Sequence, residues 1–487
     1  MDEEKKEETM ELVEQEETNC DNQKKNDKDI EVAQENLLKE ERTIFEDYED
    51  LLRKFIKQCV VARDYTFKET KAMNDEFIRN LRKLTDYLDG KIDKAEEKKA
   101  EITVEILQVL NPMVERLTEI ETMIDYLPNN LIVSIVSNYD LFLSRLLKKI
   151  ILDKNIVSII GKELQLSEVV KYNTKEELIS TCVDEFIDDL MRKSHKEQIQ
   201  WIEKKFKIDI INSFNDWKSI YLFFEIRNVI VHNEAVVSRI FLGNLKKEGI
   251  ASDKYEIGKK IVFRNEDIRK YIKTLIDFIV YLYSLVLKKN YNKTKDIEQI
   301  DTIINDVVYK FLCKSEYLQV ISIVDYILRN NQQHSSADEF LFTINKCIAL
   351  KARKNESYKK ILDRLDWSNC DNKFRMAKAV LLDDYNTACK IMEILDKDNM
   401  LQAYIEWPLF KDFVVTEEFK QKFRELYGIE FEAKMADISA EKAQYLSDKK
   451  LLEVEEFEII EEPKEELKES KVVQALTKDE VAATDAS

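Results

Sequence analysis

The chain has 487 residues and a net charge of −19, but only 6 Gly and 4 Pro. So few turn formers exclude β-sandwiches, barrels, Gly-rich nucleotide folds and collagen-like repeats, and predict an all-α protein. With 44% apolar residues, including 23 Phe and 20 Tyr, there is enough hydrophobic surface for sizeable cores.

The charge is uneven. Residues 1–30 carry 12 acidic against 5 basic side chains and residues 432–487 carry 16 against 8, whereas residues 121–290 hold 27 basic against 24 acidic. That central stretch alone is not biased against a phosphate backbone. The seven Cys are scattered, with no C-x-x-C pair and no nearby His, so no disulfide framework, zinc site or other cofactor is expected. The opening MDEEKKEETM lacks the features of a secretory signal, and no apolar run approaches the roughly 20 residues of a membrane span. A cytoplasmic protein without membrane association is the expectation.

In chain order, residues 1–30 lack apolar periodicity and predict a disordered acidic tail. Residues 31–119 predict long charged helices or a coiled coil. Ile44, Tyr48, Leu51, Phe55 and Cys59 form one narrow seam, and Met73, Phe77, Leu81, Leu84 and Leu88 form a second that ends near Asp89-Gly90. A third run through Ile102, Ile106 and Val109 is expected to be interrupted at Pro112, and Pro128-Asn129-Asn130 to break the chain before a strongly apolar helix. Residues 120–290 read as one helical domain, with weaker helices near 175–193 and 195–207, an apolar segment 214–242, and a closing helix 266–289. Residues 296–431 read as paired short helices. Aligning 338–365 with 370–395 superposes Phe342 on Phe374 and Asn345 on Ala377, near the period of about 34 residues of tetratricopeptide repeats. The stretch 432–487 predicts a second acidic disordered tail.

Segment 222–242, LFFEIRNVIVHNEAVVSRIFL, sets Glu225, Arg227, Asn228, His232 and Asn233 into an apolar surround. Burying such groups is costly unless each finds a partner. On a helix Glu225, Asn228 and His232 share one stripe, whereas Arg227 and His232 lie about 140° apart at roughly 100° per residue. A kink, the length of the Arg side chain or a second copy across a two-fold axis would let both reach one atom.

The pattern Glu225-Ile-Arg227-Asn228-Val-Ile-Val-His232-Asn233 resembles the hallmark of HEPN domains, in which Arg is followed after four to six residues by His. Ser137-Asn138-Tyr139-Asp140, some 90 residues earlier, is similar to that family's first long helix. The resemblance covers about 120–290. It implies a helical bundle that pairs as a homodimer and, in active members, a metal-independent endoribonuclease of the kind used in toxin or antiphage defence. His232 would be general acid/base towards the RNA 2′-OH and the leaving 5′-oxygen, and Arg227 would hold the phosphate. Asn228 and Glu225 would orient the imidazole, with Asn233 and Asp140 as candidate substrate-binding residues. The competing expectation is a non-catalytic adaptor, with the HEPN region dimerising and the repeats binding a partner protein.

Other polar residues read as structural. His195, among charged neighbours, is expected to be solvated. Arg329 and His334 repeat the spacing in a polar stretch without an apolar helix, so they read as a solvated loop, and His334→Ala is expected to change neither folding nor activity. Asp184, Glu185, Asp188 and Asp189 lack a Gly-bearing calcium loop and read as a solvated helix face.

Overall fold

A computed structural model describes residues 44–92, 99–156, 158, 160–161, 163–329, 333–395 and 397–432. The tail expected at 1–30, and all of that expected at 432–487 except Glu432, lie outside the described residues. The described chain is all-α, and its one extended pairing is an isolated antiparallel bridge between Val236 and Lys260. None of its helices is long and apolar enough to cross a membrane.

Two long helices, α1 (Ile44–Ile92) and α2 (Lys99–Asp153), pack against each other. Their sequence pattern explains the pairing: Tyr48, Leu52, Phe55 and Cys59 recur at steps of three and four and are fully buried or nearly so. Leu52 takes the place the periodicity offered to Leu51, which is half-buried. Towards the far end the seam fades, leaving Ile78 and Leu81 exposed. There the helices are bridged by Arg116, whose guanidinium lies 2.7 Å from Glu76.

The breaks expected at Pro112 and Pro128 do not occur. Helix α2 runs through both, and through residue 120. Pro inside a helix costs about 3 kcal/mol because it removes a donor and crowds the preceding turn. The buried positions Ile120, Leu131, Ile132, Ile135, Val136 and Tyr139 keep one continuous helical face on both sides of Pro128, and their burial offsets that cost. The end expected at Asp89-Gly90 is likewise passed, α1 continuing to Ile92.

Short helix α3 (Leu166–Val169) leads to α4 (Lys175–Met191), α5 (His195–Phe206), α6 (Trp217–Asn233), α7 (Arg239–Lys247) and α8 (Asn265–Asn290). Helices α4 and α5 start on Thr174 and Ser194, whose side chains accept hydrogen bonds from the third residue of each helix. In helix α8, Ile272, Leu275, Ile276, Phe278, Ile279, Val280, Leu282 and Tyr283 are all buried, because α1, α2, α5, α6 and two later helices surround it.

Helices α9 (Thr294–Cys313), α10 (Tyr317–Arg329), α11 (Ser336–Ala352), α12 (Ser357–Arg364), α13 (Asn372–Leu381) and α14 (Tyr385–Met392) pack as successive pairs. Helix α15 (Lys397–Glu406), a 3-10 turn (Pro408–Phe410) and α16 (Glu417–Tyr427) follow. The first of these pairs, α9 and α10, bears on α8, and α10 does so through the buried Asp277 of α8. That carboxylate accepts from Lys273 at 2.8 Å, from Gln319 at 2.5 Å and from Ser322 at 2.6 Å. A first compact unit runs to Lys422, and a second begins at Phe423, where Phe423 stacks on Tyr427 with centroids 4.1 Å apart.

Candidate functional site

Helix α6 carries the Arg-x4-His motif. Ile220, Phe223, Phe224, Ile226 and Val229 are buried towards α2 and α8, which fixes the rotation of the helix. The remaining arc holds Glu225, Arg227 and Asn228 half-buried, and His232 and Asn233 exposed in the last turn. All five lie within one helix, so Arg227 and His232 stay about 140° apart and do not converge within one chain.

Each polar group has a distinct environment. The Glu225 carboxylate accepts from Asn244 Nδ2 of α7 at 2.8 Å. Arg227 donates from Nη1 to Asn228 Oδ1 at 3.3 Å, while its buried Nε has no hydrogen-bond partner among the described residues. Among the described residues neither Arg227 nor His232 forms an ion pair with Glu225. Val231, next to His232, is 45% exposed, and among the described residues the imidazole is left open.

The chain leaves α6 through a strained turn. Glu234 and Ala235 have φ of 51° and 65°, two successive left-handed residues without a glycine. Asn233 supports it, its Nδ2 donating to Val236 O at 2.5 Å. Beyond it, Val237 N–H reaches Lys259 O at 2.9 Å and Ile261 N–H reaches Ala235 O at 2.9 Å. The segment after the motif is thereby clamped to residues 258–261. Asn233 serves this turn, a role the sequence reading did not foresee.

Asp140 is not part of that arc. Its Oδ1 lies 3.0 Å from Nε2 of His195, and the imidazole stacks on Phe224 with centroids 3.9 Å apart and planes 8° apart. The expectation of a solvated His195 is therefore overturned: the residue is buried. A signal was present, because Ser194-x-x-Glu197 forms a capping box that makes His195 the first residue of α5.

The solvated loop expected at His334 is overturned too. His334 Nδ1 lies 3.1 Å from both oxygens of Asp301 and 3.0 Å from Lys288 Nζ, and Nε2 lies 3.2 Å from the Ile327 carbonyl. Lys288 and Asp301 pair at 2.6 Å, both buried. Burial holds the Lys288 ammonium below its ordinary value, against the opposing pull of Asp301 and Asp338.

Asp184 pairs with Lys148 at 2.5 Å on the surface. Among the described residues no group of three or more His, Cys, Asp or Glu side chains is placed to hold a metal ion. The sequence reading missed Tyr221 and Glu248. Burial pushes the Tyr221 hydroxyl up to about 12, with Glu225 and Glu248 adding to the rise, and Glu248 itself pairs with Lys196. The spacing of Tyr221 and Glu225 by one turn was the available clue.

No family model matches the chain, and no solved structure matches it. Over 164 residues it is 26% identical to the RecBCD enzyme subunit RecB of Borreliella burgdorferi. That stretch covers 33% of this chain and 13% of that protein, so the chain spans about an eighth of the relative it matches.

Proposed function

We propose that the chain is a HEPN-type endoribonuclease that acts without a metal ion where two copies meet. The observation supporting this reading is the half-buried Arg227 guanidinium, which among the described residues has no carboxylate partner and one buried N–H without an acceptor, on the same helix as an exposed His232. A guanidinium held in this way suits a phosphate diester, and a free imidazole suits proton transfer at the 2′-OH. The angle between them on α6 calls for a second copy, so that Arg227 of one protomer faces His232 of the other. Exposed Val231 and Ile240 supply apolar surface for that contact.

In this mechanism a neutral His232 accepts the 2′-OH proton as the 2′-oxygen attacks the phosphorus. Arg227 holds the non-bridging oxygens as charge develops on them. An imidazolium then protonates the departing 5′-oxygen, leaving a 2′,3′-cyclic phosphate. Asn228 orients Arg227, and Glu225, held by Asn244, borders the site.

The test is the purified full-length chain against His232→Ala on a panel of RNAs with EDTA present, together with light scattering at micromolar protein. The expected result is a dimer, cleavage that persists in EDTA, and 2′,3′-cyclic or 3′-phosphate ends. Cleavage lost on chelation and restored by Mg²⁺ overturns the mechanism, and a monomeric mass overturns the shared site. The second reading, a non-catalytic adaptor, is supported by the paired helices α9–α14, around which Leu318, Ile394 and Val415 remain exposed. It expects no cleavage of any RNA.

A further inference from the structure

We propose that the outer part of the α1–α2 pair is a docking surface for a second copy of this chain, laid parallel to the first so that α1 of each protomer rests on α2 of the other. Tyr48 Oη lies 3.1 Å from Asp153 and Glu76 pairs with Arg116, so the two helices run antiparallel, with position 78 level with 114 and 71 level with 121.

The inner part of the pair, where α8 packs on both helices, buries Phe45 and Val60 of α1 and Ile132 of α2. Leu81 stands 36 positions after Phe45, Ile78 stands 18 after Val60, and Val114 stands 18 before Ile132. Eighteen residues make about five turns, so each of the three lies on the same side of its helix as a buried counterpart. Yet Ile78, Leu81 and Val114 are 39%, 37% and 51% exposed. Glu76 and Arg116, two positions from Ile78 and Val114, lie about 160° round their helices from them, and their ion pair closes the other side of the seam. The side that other helices cover further in is thus bare further out. Apolar surface of this kind marks a contact, and two paired helices complete a core when a second pair closes over them.

Charge identifies the occupant and sets its direction. Residues 71–83 of α1 hold four basic and two acidic side chains, whereas residues 111–121 of α2 hold three acidic and one basic. Lys71 and Arg82 on the first, and Glu115 and Glu121 on the second, are exposed. A face with equal and opposite charge on its two helices is complementary to itself, as a two-fold interface requires. An axis along the helices sets the basic α1 of each copy on the acidic α2 of the other, while an axis across them sets α1 on α1 and like charge on like. Charges beside an apolar seam select partner and orientation in the same way in coiled coils. The surface also runs on towards the motif: Thr70, Asn74 and Ile124 line one cleft with Ala235, the third residue beyond His232. That the same two-fold axis brings Arg227 of one protomer to His232 of the other rests on the ribonuclease reading. The helix pairing itself does not.

The test measures the dimer dissociation constant of the full-length chain by sedimentation equilibrium, with helix content followed by circular dichroism. Wild type is expected to dimerise at micromolar concentration. Val114→Glu should weaken the dimer at least about tenfold, a difference near 1.4 kcal/mol. Lys71→Glu with Arg82→Glu in one chain, and Glu115→Lys with Glu121→Lys in another, should each weaken it by a similar factor. Mixing these two double variants should restore a heterodimer of wild-type affinity, because every α1 then meets an α2 of opposite sign. If Val114→Glu does not fold, the charge variants, all at exposed positions, carry the test. A monomeric wild type, folded variants that dimerise as wild type does, or a weakening that mixing does not relieve overturns the docking surface. A wild-type dimer that the variants leave intact, with cleavage in EDTA, keeps the ribonuclease and removes the helix pairing. Charge-dependent pairing by a chain that never cleaves RNA does the reverse.

Discussion

The chain contains two copies of Arg followed after four residues by His, and the fold treats them in opposite ways. At Arg227 and His232 both residues sit on one helix, the arginine unpaired by any carboxylate among the described residues and the histidine exposed. At Arg329 and His334 the arginine closes α10 and reaches Asp325 at 3.2 Å, while the histidine is drawn into a buried cluster with Asp301 and Lys288. Spacing alone therefore says nothing about role. What separates the two copies is whether the polar groups are satisfied within the chain. A satisfied buried cluster stabilises a fold, whereas a half-buried donor without an acceptor is available for a ligand.

The contrast is open to direct attack, and the largest expected effect lies at the first copy. His232→Ala should lower the cleavage rate by about 10²–10⁴-fold and Arg227→Ala by about 10²–10³-fold, with Tm and dimer mass unchanged. Loss of folding in both variants, with no wild-type cleavage, would instead make the first copy structural like the second.

At the second copy the pattern inverts. Asp301→Ala leaves Lys288 buried without its carboxylate and should destabilise the fold by about 3–5 kcal/mol in chemical denaturation. The folded fraction should cleave RNA at the wild-type rate. His334→Ala, expected from sequence to be silent, should cost a smaller amount, about 1–3 kcal/mol, because it removes contacts to Asp301 and to the Ile327 carbonyl. Unchanged denaturation midpoints in both variants would place His334 in solvent after all.

The smallest expected effect sharpens the comparison through pH. Asp277 is raised from 3.8 to about 6, chiefly by burial, against the lowering influence of Lys273 and Ser322. The folded chain therefore holds a proton that the unfolded chain has released over that interval. Its contribution to stability is complete below about pH 4 and is lost as pH rises through about 6. Asp277→Asn removes this slope, so its Tm relative to wild type should improve from pH 4 to pH 7. A Tm difference that does not change with pH would show that burial does not govern this carboxylate.

Helical periodicity was legible where one face is buried and charged residues cover the rest. Tyr48, Phe55 and Cys59 on α1 and the helices near 175–193 and 195–207 needed no tertiary information. The grouping of Glu225, Arg227, Asn228 and His232 on one helix was equally visible, because it depends only on residues within three turns. The continuity of α2 through Pro112 and Pro128 was not. At Pro128 a local preference against helix was outweighed by burial against elements distant in sequence.

What the sequence determined by itself is the all-α class and the motif helix with its polar arc, since both follow from patterns repeating every three or four residues. Tertiary structure alone decided which histidines are sealed away. His195 meets Asp140 55 positions back, and His334 meets Asp301 and Lys288 33 and 46 positions back. No periodic pattern records such pairings. They arise because packed helices bring remote side chains into a low-dielectric interior, where a polar group must find a partner in the chain or be left for a ligand.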